Sequence, residues 1–276
     1  ASSKWMSRPL AVTLTLYVAA VVKIARRRSA ALLACAAPAV LGNALVGQNG
    51  FLSAALIGGA LVFLEENPVL SGVLLGLLTY KPHLGILFPL ALAFGGHWRA
   101  LIAAALCTAA ILIASFALSP EALAAFAHHM QGMSTTFLSK GSAGWDKIQS
   151  LYGLCRMLGL NEGAAYAAQS VLLLLLAAGM AWLWRGPASL ALKCAALATG
   201  VLLATPYLYL YDFPILSVAL AFLYRDRAFD GLEIGGILAA NLAIAAFVLV
   251  PAPLGLVASL IAAALVIRRI SAIRRA

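Results

Sequence analysis

Apolar residues run along this chain in long blocks, and polar positions gather in short clusters between them. The blocks cover about 8–25, 29–46, 50–64, 69–80, 83–95, 99–118, 165–184, 188–205, 208–224, 232–249 and 252–267. Several are shorter than the roughly 20 residues a simple membrane span needs. The pattern predicts an all-α polytopic transmembrane helical bundle, with about 9–11 membrane segments, some of them broken or re-entrant. Residues 1–276 read as a single transmembrane domain.

The clearest break lies between 69–80 and 83–95, which meet at Tyr80-Lys81-Pro82-His83. Proline removes a backbone donor and disfavours helix at the residue before it. Broken backbone at membrane depth survives only where protein or a wet cavity surrounds it. Residues 80–83 are therefore a candidate site.

One long polar interruption, 119–164, is more than a linker. Ser119-Pro120-Glu121 is a helix start: a capping hydroxyl, a proline at the first helical position, then an acid. Further on, Trp145, Ile148, Leu151, Tyr152, Cys155 and Leu158 recur at helical spacing, with Asp146, Lys147, Gln149, Ser150 and Arg156 on the other face. Such a helix lies in the membrane interface or packs on the ends of the spans.

Composition narrows the class. The chain is 64% hydrophobic and only 10% charged, with a mean hydropathy of +1.00. A soluble domain carries about 25% charged residues. A cytosolic enzyme, a coiled coil, a disordered region and a secreted mini-protein are all excluded. Four cysteines, Cys35, Cys107, Cys155 and Cys194, show no paired metal or redox spacing.

The net charge of +10 is orientation information. With the N-terminus outside, the inner loops hold Lys23, Arg26–Arg28, Arg99, Arg185, Lys193, Arg225, Arg227, Arg268, Arg269, Arg274 and Arg275, against Lys4, Arg8, Lys81, Lys140, Lys147 and Arg156 outside. The positive-inside rule then places the C-terminus in the cytoplasm. This sorts Gly47-Gln48-Asn49-Gly50, Lys81 with His83, the loop 119–164, and Thr205-Pro206-Tyr207 with Asp212 to the outer side. Functional chemistry is expected to face outward.

Lys81 is the most informative residue. A cation between two half-spans needs a partner or a wet cavity, and a lipid phosphate suits it. The alternative is a lysine snorkelling to the interface. His83 either donates to the same anion, acts as acid or base, or is structural. Asp212, after Tyr207, Tyr209 and Tyr211, suits sugar hydroxyls or pairing with Lys81, although the tyrosines alone fit an aromatic belt. Gln48 and Asn49 suit carbohydrate contact, and Asn-Gly equally suits a turn. His128 and His129 are adjacent and point apart on a helix. No metal-holding acidic pair, Walker loop or nucleophile elbow occurs, so no metal or cofactor is expected.

Three stretches carry a family resemblance: Gly47-Gln48-Asn49-Gly50-Phe51-Leu52, then Pro68 to His83, then His97-Trp98-Arg99-Ala100. Together they resemble glycosyltransferase family 87, and Thr205-Pro206-Tyr207 with Tyr211-Asp212 is similar to its C-terminal signature. The likeness covers about residues 29–225. It implies a GT-C fold in the cell membrane with its active site on the outer side. It further implies transfer of a hexose, typically mannose, from a polyprenyl-phosphate donor to a lipid-linked or cell-envelope glycan. Basic residues then hold the donor phosphate (Lys81, His83), while Gln48, Asn49, Tyr207 and Asp212 face sugar or acceptor. In GT-C enzymes the catalytic aspartate lies in the first outer loop, and residues 1–7 contain no acid. The resemblance thus implies a base N-terminal to this chain, with Asp212 as a substitute candidate. The rival classes are a lipid or solute transporter or flippase and a non-catalytic polyprenyl-lipid-binding paralogue.

Overall fold

The structure is a computed structural model that describes residues 3–142 and 144–273. Among the described residues there is helix and turn and no strand, an all-α bundle. Helix α1 (Ser3–Ala25) is followed by α2 (Ala30–Ala36), α3 (Pro38–Val46), α4 (Gly50–Val62) and α5 (Pro68–Gly76). Two 3-10 turns, Leu77–Tyr80 and Pro82–Gly85, separate α5 from α6 (Phe88–Phe94). Then come α7 (Trp98–Leu118), α8 (Pro120–Met133), α9 (Leu151–Met157) and α10 (Glu162–Arg185). The chain closes with α11 (Leu190–Ala204), α12 (Pro214–Asp226), α13 (Gly231–Ala246) and α14 (Leu254–Ile273). Pro38, Pro68, Pro120 and Pro214 each open a helix, where a missing N–H costs nothing.

Contacts between turns sort the molecule into two ends. At one end Lys23 meets Glu66 at 3.5 Å, Arg27 lies over Tyr224, Arg185 over Phe94, and Arg269 pairs with Glu233 at 2.8 Å. We refer to this as the basic end. At the other, Lys81 meets Asp212, His83 meets Tyr207, and Gln149 donates its N–H to the Leu208 carbonyl. That is the tyrosine end.

Among the described residues, four helices are long and apolar enough to cross a membrane: Arg8–Ala25 within α1, α7, α10 and α14. At 1.5 Å per residue, the 13-residue α4 and α12 span only about 20 Å. They are nonetheless mostly buried, as is α11. Short helices sit inside, and long ones such as α7 turn Leu106, Ile113 and Phe116 outward, where lipid is the natural solvent.

The tightest helix pair holds the break in place. A Cβ on Gly72 would meet the Ala100 carbonyl and, at 2.5 Å, Ala103 Cβ; one on Gly76 would meet Cys107 Cβ at 2.5 Å. Gly72 and Gly76 thus form a small-residue seam that lets α5 and α7 touch backbone to backbone, the strategy membrane helices use where apolar burial offers no drive. The broken segment after Gly76 is anchored to α7, the most exposed of the four long apolar helices.

Three sequence expectations change. The block 29–46 is two helices, because Ala37 before Pro38 is extended (φ −61°, ψ 130°). The block ending near 267 continues as α14 to Ile273, so Arg268 and Arg269 are helical rather than loop residues. The helix expected over 145–158 is shorter. Trp145–Lys147 is a separate 3-10 turn, Ile148 is extended, and Ser150 starts α9 by accepting the Gly153 N–H at 3.2 Å.

Candidate functional site

At the tyrosine end the break between α5 and α6 delivers Lys81 to the turn between α11 and α12. Lys81 is itself extended (φ −132°, ψ 69°) because Pro82 follows it. Its ammonium donates to Asp212 Oδ1 at 2.6 Å, across 131 residues of chain. The same nitrogen lies 4.9 Å from the centre of the Tyr211 ring, a cation–π arrangement. The lysine side chain is 12% exposed and the aspartate 2%. A pair this poorly hydrated survives only with its remaining lone pairs satisfied. Asp212 Oδ2 meets that need by accepting the Tyr209 N–H at 3.3 Å.

Around the pair stands an aromatic wall. Tyr209 and Tyr211 stack with centroids 5.4 Å apart and planes 3° from parallel. Tyr207 meets Tyr209 edge-on at 5.1 Å, and His83 meets Tyr207 edge-on at 5.8 Å. His83 also lines a cavity of about 120 Å³ with Tyr166, Gln169, Ser170 and Thr205. On the other side of the break runs an apolar groove of about 460 Å³, bounded by Leu75, Thr79, Pro82, Ile86, Phe88 and Ala104.

The turn Gly47-Gln48-Asn49-Gly50 abuts the same segment. Gly47 ends α3 in the left-handed region, φ 68°, where glycine carries no steric cost. Gly50 packs so closely on the Tyr211 carbonyl that no Cβ fits. Buried Asn43 accepts the Gly50 N–H through Oδ1 at 3.2 Å. Asn49 occupies the N-cap position of α4, yet its side chain caps nothing. Asn67 and Asn161, by contrast, accept N–H groups at 3.1 and 2.8 Å in their caps. Gln48 and Asn49 are both exposed.

The structure therefore gathers Lys81, Asp212, His83 and Tyr207 in one cluster, with the Gln48–Asn49 turn on its flank. Sequence reasoning passed over Asn43 and Ser53, and placed Tyr80 in the break without giving it a role. Ser53 Oγ and the Tyr80 hydroxyl share a hydrogen bond of 2.8 Å beside Lys81. Their one sequence signal is a polar group inside an apolar block. The same holds for Gln169, which together with Gln149 and Ser150 ties the 145–157 segment over the site. Ser150 Oγ donates to the Pro206 carbonyl at 2.7 Å, and Gln149 Oε1 accepts the Gly255 N–H at 2.7 Å. Gln169 accepts the Tyr152 N–H at 3.1 Å and donates to the Leu203 carbonyl at 2.9 Å. Tyr152 donates to the Leu138 carbonyl at 2.7 Å, and burial pushes its hydroxyl pKa up to about 12.

Chemically, the end offers a poorly hydrated cation held on an acid and a tyrosine face, with an exposed amide turn on its flank and an apolar groove along the same break. An anion carrying a long hydrocarbon fits that description, and so does a carbohydrate ring against a tyrosine. The family model for glycosyltransferase family 87 matches residues 8–206. The match takes in Gln48, Asn49, Lys81 and His83 and stops before Tyr207 and Asp212. No curated protein and no solved structure matches the chain. The chain belongs to glycosyltransferase family 87, a family of membrane glycosyltransferases.

Proposed function

We propose that this chain is a GT-C-type enzyme that moves a hexose, mannose in the first instance, from a polyprenyl-phosphate donor to a lipid-linked or cell-envelope glycan. The observation that carries the proposal is the Lys81–Asp212 pair, set in a broken membrane segment beside an apolar groove. In such a transfer an acceptor hydroxyl forms a bond to the sugar's C1, and the bond from C1 to the phosphate oxygen breaks. The polyprenyl phosphate leaves with one additional negative charge, and the acceptor hydroxyl's O–H bond breaks with its proton released to water. Lys81 is assigned to that charge, because a preplaced cation in a water-poor site acts most strongly where charge develops. His83 is assigned a second contact to the same phosphate, and the groove along Thr79, Pro82 and Ile86 the first isoprenes.

Asp212 has one oxygen on Lys81 and the other on a backbone N–H. That arrangement suits an anchor that aims the lysine better than a base that collects the acceptor's proton. Gln48, Asn49 and Tyr207 are assigned to sugar and acceptor hydroxyls, Asn49 because capping leaves its amide free. The enzyme is placed in the plasma or inner membrane with the tyrosine end outside. The basic end, carrying most of the Lys and Arg, is placed in the cytoplasm.

The test is transfer from labelled polyprenyl-phosphate mannose in membranes expressing the complete gene. Lys81→Ala should cut transfer by roughly 100-fold or more, the usual cost of removing one preorganised electrostatic contact. Lys81→Arg, which keeps the charge, should recover part of it. Transfer unchanged by Lys81→Ala removes the assignment, and lipid translocation without transfer would favour a flippase.

A further inference from the structure

A second groove lies at the opposite end. About 420 Å³ in volume, it falls inside the ~300–1,000 Å³ range of ligand sites. It is the gap left where α13 packs on α14 and α3 and stands off from α1, α2 and α12. Alanines hollow it out: Ala25, Ala30, Ala34, Ala37, Ala221 and Ala245 line it where larger side chains would close it. Ile237, Leu238 and Leu242 carry its wall along α13, away from the basic end.

Between Ala25 and Ala30, which line the groove, the chain carries Arg26, Arg27 and Arg28, all exposed at the basic end. None of the three makes an ion pair among the described residues, whereas neighbouring Lys23 meets Glu66. Arg27 sits 5.7 Å above the ring of Tyr224, and Tyr224 lines the groove. Arg26 adopts φ 56°, a left-handed conformation where glycine would fold at less cost.

From this juxtaposition we infer that the groove between α13 and α1, α2 and α12 binds an anionic phospholipid. One acyl chain lies along the alanine-lined floor, and the headgroup phosphate rests on Arg26–Arg28. Charge decides the class: three uncompensated cations at one lip favour an anionic over a zwitterionic headgroup.

The experiment uses the full-length protein in neutral detergent, read by native mass spectrometry and by the thermal unfolding midpoint. Dioleoyl phosphatidylglycerol should leave bound adducts and raise the midpoint. Phosphatidylcholine with the same chains, and inorganic phosphate alone, should do neither at matched concentration. Each arginine replaced by alanine should weaken binding about fivefold, and Arg27→Lys should stay within about twofold of the parent. Ala245→Phe, at an exposed position on the groove wall, should also weaken it while leaving the fold intact. Equal binding of both lipids overturns the inference. So does unchanged binding in the Arg26→Ala/Arg27→Ala variant, or phosphate alone reproducing the shift. Sugar transfer plays no part in these readouts, so the proposed function stands or falls separately.

Discussion

The two ends of the bundle each bury opposite charges, and they treat them differently. At the basic end Arg269, 4% exposed, uses all five of its N–H donors. They go to Glu233 Oε1 and Oε2 at 2.8 Å each, to Asp226 at 3.2 Å, to the Arg227 carbonyl at 3.0 Å and to the Leu223 carbonyl. Arg268 and Arg227 join from outside, on Asp230 at 2.7 Å and Glu233 at 3.3 Å. Three cations thus face three anions, and the joint ties the ends of α12, α13 and α14 together. At the tyrosine end Lys81 spends one of three ammonium protons on Asp212 and leans on a tyrosine face. A saturated network has nothing left to offer a ligand; a half-committed, partly exposed lysine does. Buried charge alone marks neither structure nor function, and the spare donor capacity separates them.

That contrast breaks most visibly at Asp212. Asp212→Asn leaves Lys81 without its counter-ion and free to swing, so transfer should fall by roughly 100-fold. Stability should fall too, toward the lower part of the ~3–5 kcal/mol cost of orphaning one partner of a buried pair, since Lys81 keeps some exposure. The double variant Lys81→Met/Asp212→Leu removes both charges and should recover the parent thermal midpoint while staying inactive. A double variant that transfers normally would make the pair structural and erase the difference between the ends.

Arg269→Met is the converse. It takes the two closest bonds from Glu233, 1% exposed, leaving it the outer Arg227 and Arg268, and releases three helix ends, so the thermal midpoint should fall with a loss of about 3 kcal/mol, the lower end for a broken buried pair. Transfer per folded molecule, normalised by the fluorescent band on size exclusion, should stay within about twofold because the network donates nothing to the other end. A transfer loss exceeding the folding loss would show the ends coupled.

What was legible follows the same line. The apolar blocks and the break at Pro82 are local properties, and both can be read from neighbouring residues. Pro38 carries the same signal as Pro82 and splits 29–46 for the same reason. The expected helix over 145–158 fails locally too: its spacing is helical, yet Ser150 captures the Gly153 N–H and restarts the chain. Arg269 was not legible. Counted as a loop charge, it is drawn into α14 by Glu233, 36 residues earlier. Asn43 and Gln169 show in sequence only as polar groups inside apolar blocks; their partners, backbone N–H groups, are set by the fold.

The finest test of the comparison lies in the turn beside the site, where stability and function should separate completely. Gln48 is exposed, so Gln48→Ala removes no packing and should leave the thermal midpoint unchanged within about 0.5 kcal/mol. Its neighbour Gly50 cannot be changed so cheaply, because a Cβ there runs into the Tyr211 carbonyl. If Gln48 meets the acceptor or the sugar, losing one neutral hydrogen bond of about 1 kcal/mol should raise a KM about fivefold with little change in kcat. Titrating donor and acceptor separately shows which substrate the amide meets. A KM unchanged for both substrates would leave the turn a scaffold for Tyr211 and confine the site to Lys81, His83 and the tyrosines.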